Sequence, residues 1–276
     1  GNGTSNGPMS VQTAREVYKS LKTPEAVTVY CCMTVSTPVS LPGAPAIGAD
    51  VRETDDTFFH VFDFQFTDGK PYDEATFTAG RPVAVITESI SRALFGSIQS
   101  VGKEFLLSHA PYRVVGVVKD VSTLADMAYG QVWIPFTSTN LSNDTWSDNH
   151  MGMMSVTLLA HDREDFDEIR AEAKRRMNEY NSILADQGYT LIDRNRPYDQ
   201  ETQSISFAAN LEPDLKAARR ERVIIFIILL LVPAINLSSR DRCASCIWKY
   251  PHRDGGADCD GKSRNHFVGR GYRIAH

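Results

Sequence analysis

Two spacings of apolar residues recur along the chain, one near the α-helical period and one of two residues. Val11, Ala14, Val17 and Leu21 fall on one face of a helix over residues 10–22, with Ser10 placed to cap it and Thr23-Pro24 to end it. Val27, Val29, Cys31, Met33 and Val35 then alternate with Thr28, Tyr30, Cys32, Thr34 and Ser36, the pattern of a half-buried strand. Residues 37–50, rich in Pro, Gly and Ala, read as a loop, and 57–66 as an aromatic, β-rich stretch followed by an Asp68-Gly69 turn. Residues 83–86 predict a short buried strand, Thr87 caps a helix over 88–95, and Gly96 closes it. Segments 103–107, 112–119 and 131–135 read as strands of one meander, 137–151 as polar loop, and 153–160 as a further strand. A long helix follows over 163–184. Phe166, Ile169, Ala173, Met177 and Tyr180 form its apolar stripe, and Asp162, Glu164 and Asp165 crowd its positive end. Residues 189–192 read as a strand and 211–222 as a charged helix. Strands and helices are mixed without regular βαβ alternation and without internal repeat, so the predicted class is α+β.

Amphipathic spacing stops at Val223. From there to Ile235 no side chain is polar, and no charge occurs before Arg240. At about 1.5 Å rise per residue the uncharged stretch just reaches the thickness of a hydrocarbon core. Arg219, Arg220 and Arg222 flank one end, which favours lipid over a protein interior as its surroundings. The N-terminal Gly-Asn-Gly-Thr-Ser-Asn-Gly-Pro has neither a basic start nor an apolar run, and reads as a flexible lead-in over 1–9 rather than a signal peptide.

Composition narrows the function class. The 276 residues carry 29 Lys+Arg against 34 Asp+Glu, a net charge of −5, which argues against nucleic acid as a partner. The balance is uneven: residues 240–276 hold eight Lys/Arg against four Asp/Glu, and contain no Leu, Glu, Met, Thr or Gln. Of five cysteines, Cys31 and Cys32 are neighbours on a predicted strand, so their side chains are expected on opposite faces with no disulfide between them.

Several motifs evoke chemistry and fail on context. Gly256-Ala-Asp-Cys-Asp-Gly261-Lys262-Ser263 matches the phosphate-loop pattern, but no buried strand precedes it and only thirteen residues follow Ser263. Cys243, Cys246, Cys259 and His266 offer four zinc donors with only the first pair at metal spacing. Ser100 and Lys103, with Ser147-Asp-Asn149, evoke acyl-serine hydrolases, but no Lys-Thr-Gly element closes such a site. His60, His109 and His161 read as isolated surface or packing residues, and Asp55-Asp56 as the start of a helix or turn. No catalytic residue, metal ligand or cofactor is assigned.

Three ordered blocks carry a family resemblance. The first runs from Asp55-Asp-Thr-Phe58-Phe59 through Phe62, Phe64 and Phe66 to Gly69-Lys-Pro71. The second runs from Val83 through Thr87-Glu-Ser-Ile-Ser-Arg-Ala-Leu94-Phe95-Gly96 to Val101-Gly102-Lys103. The third is Tyr112-Arg-Val-Val-Gly116-Val-Val-Lys119-Asp120, then Val132-Trp133-Ile134-Pro135. Together they resemble the extracytoplasmic core domain of MacB-like permeases of ABC transporters. Residues 220–239 resemble the second membrane helix as it enters an FtsX-like membrane part.

The resemblance implies an organisation. A flexible lead-in precedes a periplasmic core domain over 10–215, in which a discontinuous α/β, porter-like subdomain (10–36 plus 137–195) carries an inserted β-rich subdomain (45–135). The five phenylalanines supply the core of the β-rich part, and Gly116 in a strand implies a bulge or a close backbone approach. One transmembrane helix starts over 216–239. The tail, 240–276, departs from the family pattern and is expected to be out-of-frame translation after a frameshift near codon 239. The family's first membrane helix is also missing, the expectation being a fragment that starts after it.

The function implied is non-catalytic: an inner-membrane permease whose periplasmic domain couples ATP-driven helix movement to export or extraction of a substrate. Its partners would be a second permease copy, a separate ABC ATPase subunit, a periplasmic adaptor protein and the membrane itself. Two alternatives are a membrane-anchored extracytoplasmic binding module without transport, and a nucleotide or zinc protein built on the tail.

Overall fold

A computed structural model describes residues 7–192, 220 and 223–231. The chain divides into two units, residues 1–197 and 198–276. In the first, nine strands form one mixed sheet: β1 (Ala26–Cys31), β2 (Val35–Ser40), β3 (Ile47–Thr54), β4 (Phe66–Gly69), β5 (Val83–Thr87), β6 (Glu104–Leu107), β7 (Ala110–Val118), β8 (Val132–Pro135) and β9 (Met154–Leu159). Helices interrupt them: α1 (Val11–Thr13), continued by a π-helical turn over Ala14–Tyr18, then α2 (Phe58–Val61), α3 (Glu74–Thr78), α4 (Glu88–Phe95) and α5 (Phe166–Leu184).

Six strands close into a ring. The order β2-β6-β7-β5-β8-β3 returns to β2, because β3 pairs with both β8 and β2. The pairs β5–β7 and β3–β8 are parallel, and the rest of the ring is antiparallel. Beyond β3 the sheet continues through the single pair Tyr30↔Thr54 to β1, and from β1 to β9 along six antiparallel pairs.

Alternation decides which side chains fill the ring. Val39, Ala49, Val51, Ala84, Ile86, Phe105, Leu107, Val132 and Ile134 point inward, and Ile90 of α4 joins them. In β7 the inward residues are Tyr112, Val114 and then Val117, so the parity changes between 114 and 117. The register against β5 accounts for it: Ala84 faces Val114 and Val85 faces Gly116, leaving Val115 as the extra residue of a bulge. A Cβ on Gly116 would lie 2.7 Å from a Phe66 ring carbon and 2.8 Å from the Lys70 carbonyl oxygen. The bulge and the close approach expected at Gly116 are therefore both present.

The outer face of the ring is covered too. Val83, Val85, Val118 and Trp133 meet Tyr30, Phe58, Phe59 and Tyr72, with Phe62, Phe64 and Phe66 packed around them. The Phe58 ring centroid lies 5.3 Å from that of Tyr30 and 4.7 Å from that of Phe62. A third core joins α5 to the first helix: Ala173, Met177, Tyr180 and Leu184 pack on Val17, Tyr18, Leu21 and Val27.

Sequence expectations hold where local signals suffice. The Ser10 side chain accepts from Thr13 N, and the Thr87 side chain from Ile90 N. Gly96 closes α4 at φ 68°, and the stripe on α5 is the buried one. Six expectations are corrected. The first helix ends sooner, its last turn widening so that Lys19 N reaches Ala14 O. The strand read over 27–36 breaks at a bend after Cys31, and Thr28 and Tyr30 are buried because the phenylalanine cluster covers their face. The loop read over 37–50 is mostly strand, β2 and β3 paired from Val35↔Val51 to Val39↔Ile47. The aromatic stretch opens with a helical turn, α2, before reaching β4. Segments 103–119 and 131–135 are not one meander, since β5 lies between β7 and β8. Residues 189–192 form no strand; Leu191 N instead donates to Asn181 Oδ1 at 2.8 Å.

In the second unit, Arg220 and residues 223–231 are helical, and each of the nine apolar side chains is exposed, from 48% at Ile224 to 64% at Leu229. Among the described residues no helix is long and apolar enough to cross a membrane. The rest of the span read over 216–239, the helix read over 211–222 apart from Arg220, and the tail lie outside the described residues.

Candidate functional site

The densest polar arrangement sits where β1 and β3 meet and the sheet leaves the ring. Asp55, 1% exposed, follows β3. Its carboxylate accepts from Thr28 Oγ1 at 2.6 Å and Val29 N at 2.9 Å, and pairs with Lys19 Nζ at 2.7 Å. Lys19 also donates to the Val27 carbonyl at 2.6 Å. The C-cap residue of the first helix is thus fastened to both strands. Burial pushes the Asp55 carboxyl above its ordinary range, against the opposing pull of Lys19 and the hydrogen bonds.

Arg52, two residues before the end of β3, is 2% exposed. Its guanidinium donates to three main-chain carbonyls: Nε to Tyr129 at 2.6 Å, Nη1 to Cys31 at 2.9 Å and Nη2 to Asp126 at 2.7 Å. It also lies over the Tyr30 ring at 5.7 Å. Five planar donors make arginine the side chain suited to collecting carbonyls from separate segments. Burial draws its pKa down, and the surrounding Tyr30, Asp126 and cysteines oppose that shift. On the alternate side of β3, Glu53 accepts from Thr139 Oγ1, and burial raises its carboxyl. Neither the Lys19–Asp55 pair nor Arg52 stands out by motif. The available signal is that charged residues interrupt an apolar strand environment.

Cys31 and Cys32 are both free thiols. β1 ends at Cys31, which is buried, and Cys32 lies in the bend that follows, half-buried.

Other candidates are dispersed. Ser100 is fully buried, bonded to Ser91 Oγ at 2.7 Å, and its amide donates to Asp68 at 3.1 Å. Lys103 lies over the Phe95 ring at 5.2 Å, not against Ser100 Oγ. Ser147 sits in a loop of three consecutive left-handed residues with Asp148 and Asn149, and shares no partner with Ser100. His60 and His161 are brought together after all, on the two oxygens of Glu25 at 3.4 and 3.5 Å, while His109 occupies the β6–β7 turn at φ 73°. Among the described residues no group of His, Cys, Asp and Glu could hold a metal ion. A shallow cavity of about 380 Å³ is lined by residues including Arg15, Glu16, Phe136 and Asn143. The phosphate-loop match at Gly256–Ser263 and the cysteines Cys243, Cys246 and Cys259 with His266 lie outside the described residues.

A mixed α/β domain built on a closed strand ring, held to its helices by a buried ion pair and an arginine–carbonyl cluster, is the class the geometry defines. The chain belongs to the MacB-like periplasmic core domain family, whose model matches residues 2–176. It is 24% identical over 131 residues to an uncharacterized ABC transporter permease, YknZ, of Bacillus subtilis strain 168, covering 48% of this chain and 32% of that protein. It is 34% identical over 98 residues to the macrolide export ATP-binding/permease protein MacB 1 of Aeromonas hydrophila, covering 35% of this chain and 15% of that one. The chain thus matches less than a third of the length of these relatives. Among solved structures, the periplasmic region of MacB from Actinobacillus actinomycetemcomitans aligns at 19% identity and TM-score 0.48, over 65% of this chain and 76% of that one. The family is one of transporter permease domains, not of known enzymes.

Proposed function

We propose that this chain is the extracytoplasmic part of an ABC-transporter permease in the bacterial inner membrane, and that it couples ATP-driven helix movement to export or extraction of a substrate. The observation that carries the reading is the family match over residues 2–176. The exposed apolar helix over 223–231 supports it, as the start of a transmembrane segment over 216–239. On this reading the partners are a second permease copy, a separate ABC ATPase subunit and a periplasmic adaptor. Residues 10–36 with 137–195 act as an α/β subdomain next to the membrane, and 45–135 as a β-rich subdomain inserted in it. The Lys19–Asp55 pair and Arg52 then lie where force passes between the two.

The test uses the gene's full product in cells with a permeabilised outer envelope. A cysteine introduced at Ile183, 65% exposed on α5, is expected to react with a membrane-impermeant maleimide in otherwise intact cells. An ABC ATPase is expected to copurify with the protein. Labelling only after inner-membrane lysis would overturn the placement, and copurification without any ATPase would overturn the transporter assignment.

A further inference from the structure

Cys31 and Cys32 combine features that a structural cysteine does not need. Their backbones are pinned on two sides, Cys32 N to Met153 O at 2.9 Å and Cys31 O to Arg52 Nη1 at 2.9 Å. Cys31 is 3% exposed, whereas Cys32 is open enough for a small reagent. We propose that the pair is a redox-active dithiol, in which Cys32 attacks a low-molecular-weight disulfide and Cys31 resolves the product into a reversible Cys31–Cys32 bond.

The surroundings give the two thiols different roles. The adjoining Cys31 thiol and the Arg52 charge bring the Cys32 thiol down to about 7 against the cost of burial. Cys31 moves up, through its Cys32 neighbour, burial and the nearby Glu53. These are the charged and titratable groups that face the pair; Met153 and, at the start of β9, Met154 add none. The half-buried Cys32 is therefore the readier nucleophile, and the buried Cys31 stays protonated until it resolves.

The steps balance. Cys32 forms a bond to one sulfur of the disulfide, whose own bond breaks and whose other half leaves as a thiolate that takes up a proton. Cys31 then loses its proton, bonds to Cys32, and expels the second half as a thiol. Two protons and two electrons pass from the protein to the small disulfide. Adjacent Cα atoms are roughly 3.8 Å apart, below the usual span of a disulfide, so the ring is strained and easily reduced. That geometry fits a reversible couple rather than a permanent staple. In the cell the oxidant comes from an oxidising compartment, which rests on the extracytoplasmic reading. The test supplies the disulfide itself, so its outcome is independent of that reading.

The reduced full chain is exposed to oxidised glutathione, quenched with maleimide and digested with trypsin, and the peptide over residues 23–52, which holds both cysteines and no other, is weighed. The expected product is two hydrogens lighter and free of maleimide. At pH 7 the thiolate fraction rises and intrinsic nucleophilicity falls, for a rate roughly threefold above that of the unfolded chain. Cys31→Ser is expected to stop at a stable glutathione adduct on Cys32, and Cys32→Ser to leave Cys31 unreacted. Equal reactivity of the two variants, or a wild-type chain that stops at the adduct, overturns the proposal. Should the variants fail to fold, phenylarsine oxide decides on the wild type: its arsenic bridges two neighbouring thiols with loss of water. One equivalent on the native 23–52 segment, blocking later oxidation, supports the pair; no bridging overturns it.

Discussion

At the scale of single residues, the charges at the β1–β3 junction are those whose removal should be felt most. Arg52→Met leaves three carbonyls without their donor, the Cys31 carbonyl in a buried position, and should cost about 2–4 kcal/mol in urea denaturation of the chain. Arg52→Lys should recover little of it, because a point ammonium cannot reach three divergent carbonyls. Asp55 and Glu53 make a pH prediction of definite sign. Both carboxyls are raised in the folded chain by burial, so the native state binds more protons than the unfolded one above the ordinary carboxylate range. Their contribution to stability therefore falls as pH rises through and above the ordinary carboxylate range, and levels off once both are ionised in the folded chain. Glu172 is held low by its bonds to the Lys22 and Thr23 amides and acts oppositely, losing stability as pH drops further. Thermal melting of Glu53→Gln/Asp55→Asn against pH should show a smaller fall over that interval than the parent. None of this was legible in the sequence, where Asp55 next to Asp56 reads as a turn, because the partners of Asp55 come from two other elements.

Among elements, legibility followed the range of the causes. α4 was placed by its own cap, apolar face and terminal glycine, all within ten residues of one another. The strand break at Cys32 and the hairpin β2–β3 have no such local cause. Pro38 sits within β2 opposite Gly48, and lends its carbonyl, not the amide it lacks, to Ser108 N at 2.9 Å. The helical turn at α2 goes against the strand preference of its aromatic residues, and the packing of Phe58 and Phe59 against Tyr30, Tyr72 and Trp133 outweighs that preference. Phe58→Ala should accordingly destabilise by about 3–5 kcal/mol. The bulge in β7 was legible, since one glycine within an otherwise β-branched run announces it. Gly116→Val should cost at least about 1–3 kcal/mol, because the new side chain meets Phe66 and the Lys70 carbonyl, and chemical denaturation would measure it.

For the whole molecule, closure of the strand ring escaped the sequence because β5 and β8 are covered on both faces and show no alternation. A ring removes its own free edges, while β9 keeps one. Amide exchange should rank accordingly, with Val85, Ile86 and Trp133 slowest and the outward amides of β9 faster by an order of magnitude or more.

The pairing of β1 with β9 also sets a timetable. Ala26 waits for Leu159, so a chain emerging N-terminus first holds a strongly apolar segment unpaired while the whole ring is synthesised after it. During that interval the Ala26–Cys31 strand keeps its β9 edge open, where it can misassemble with another copy. Completion comes in one late step, when the last strand arrives and the long helix behind it folds down on the first.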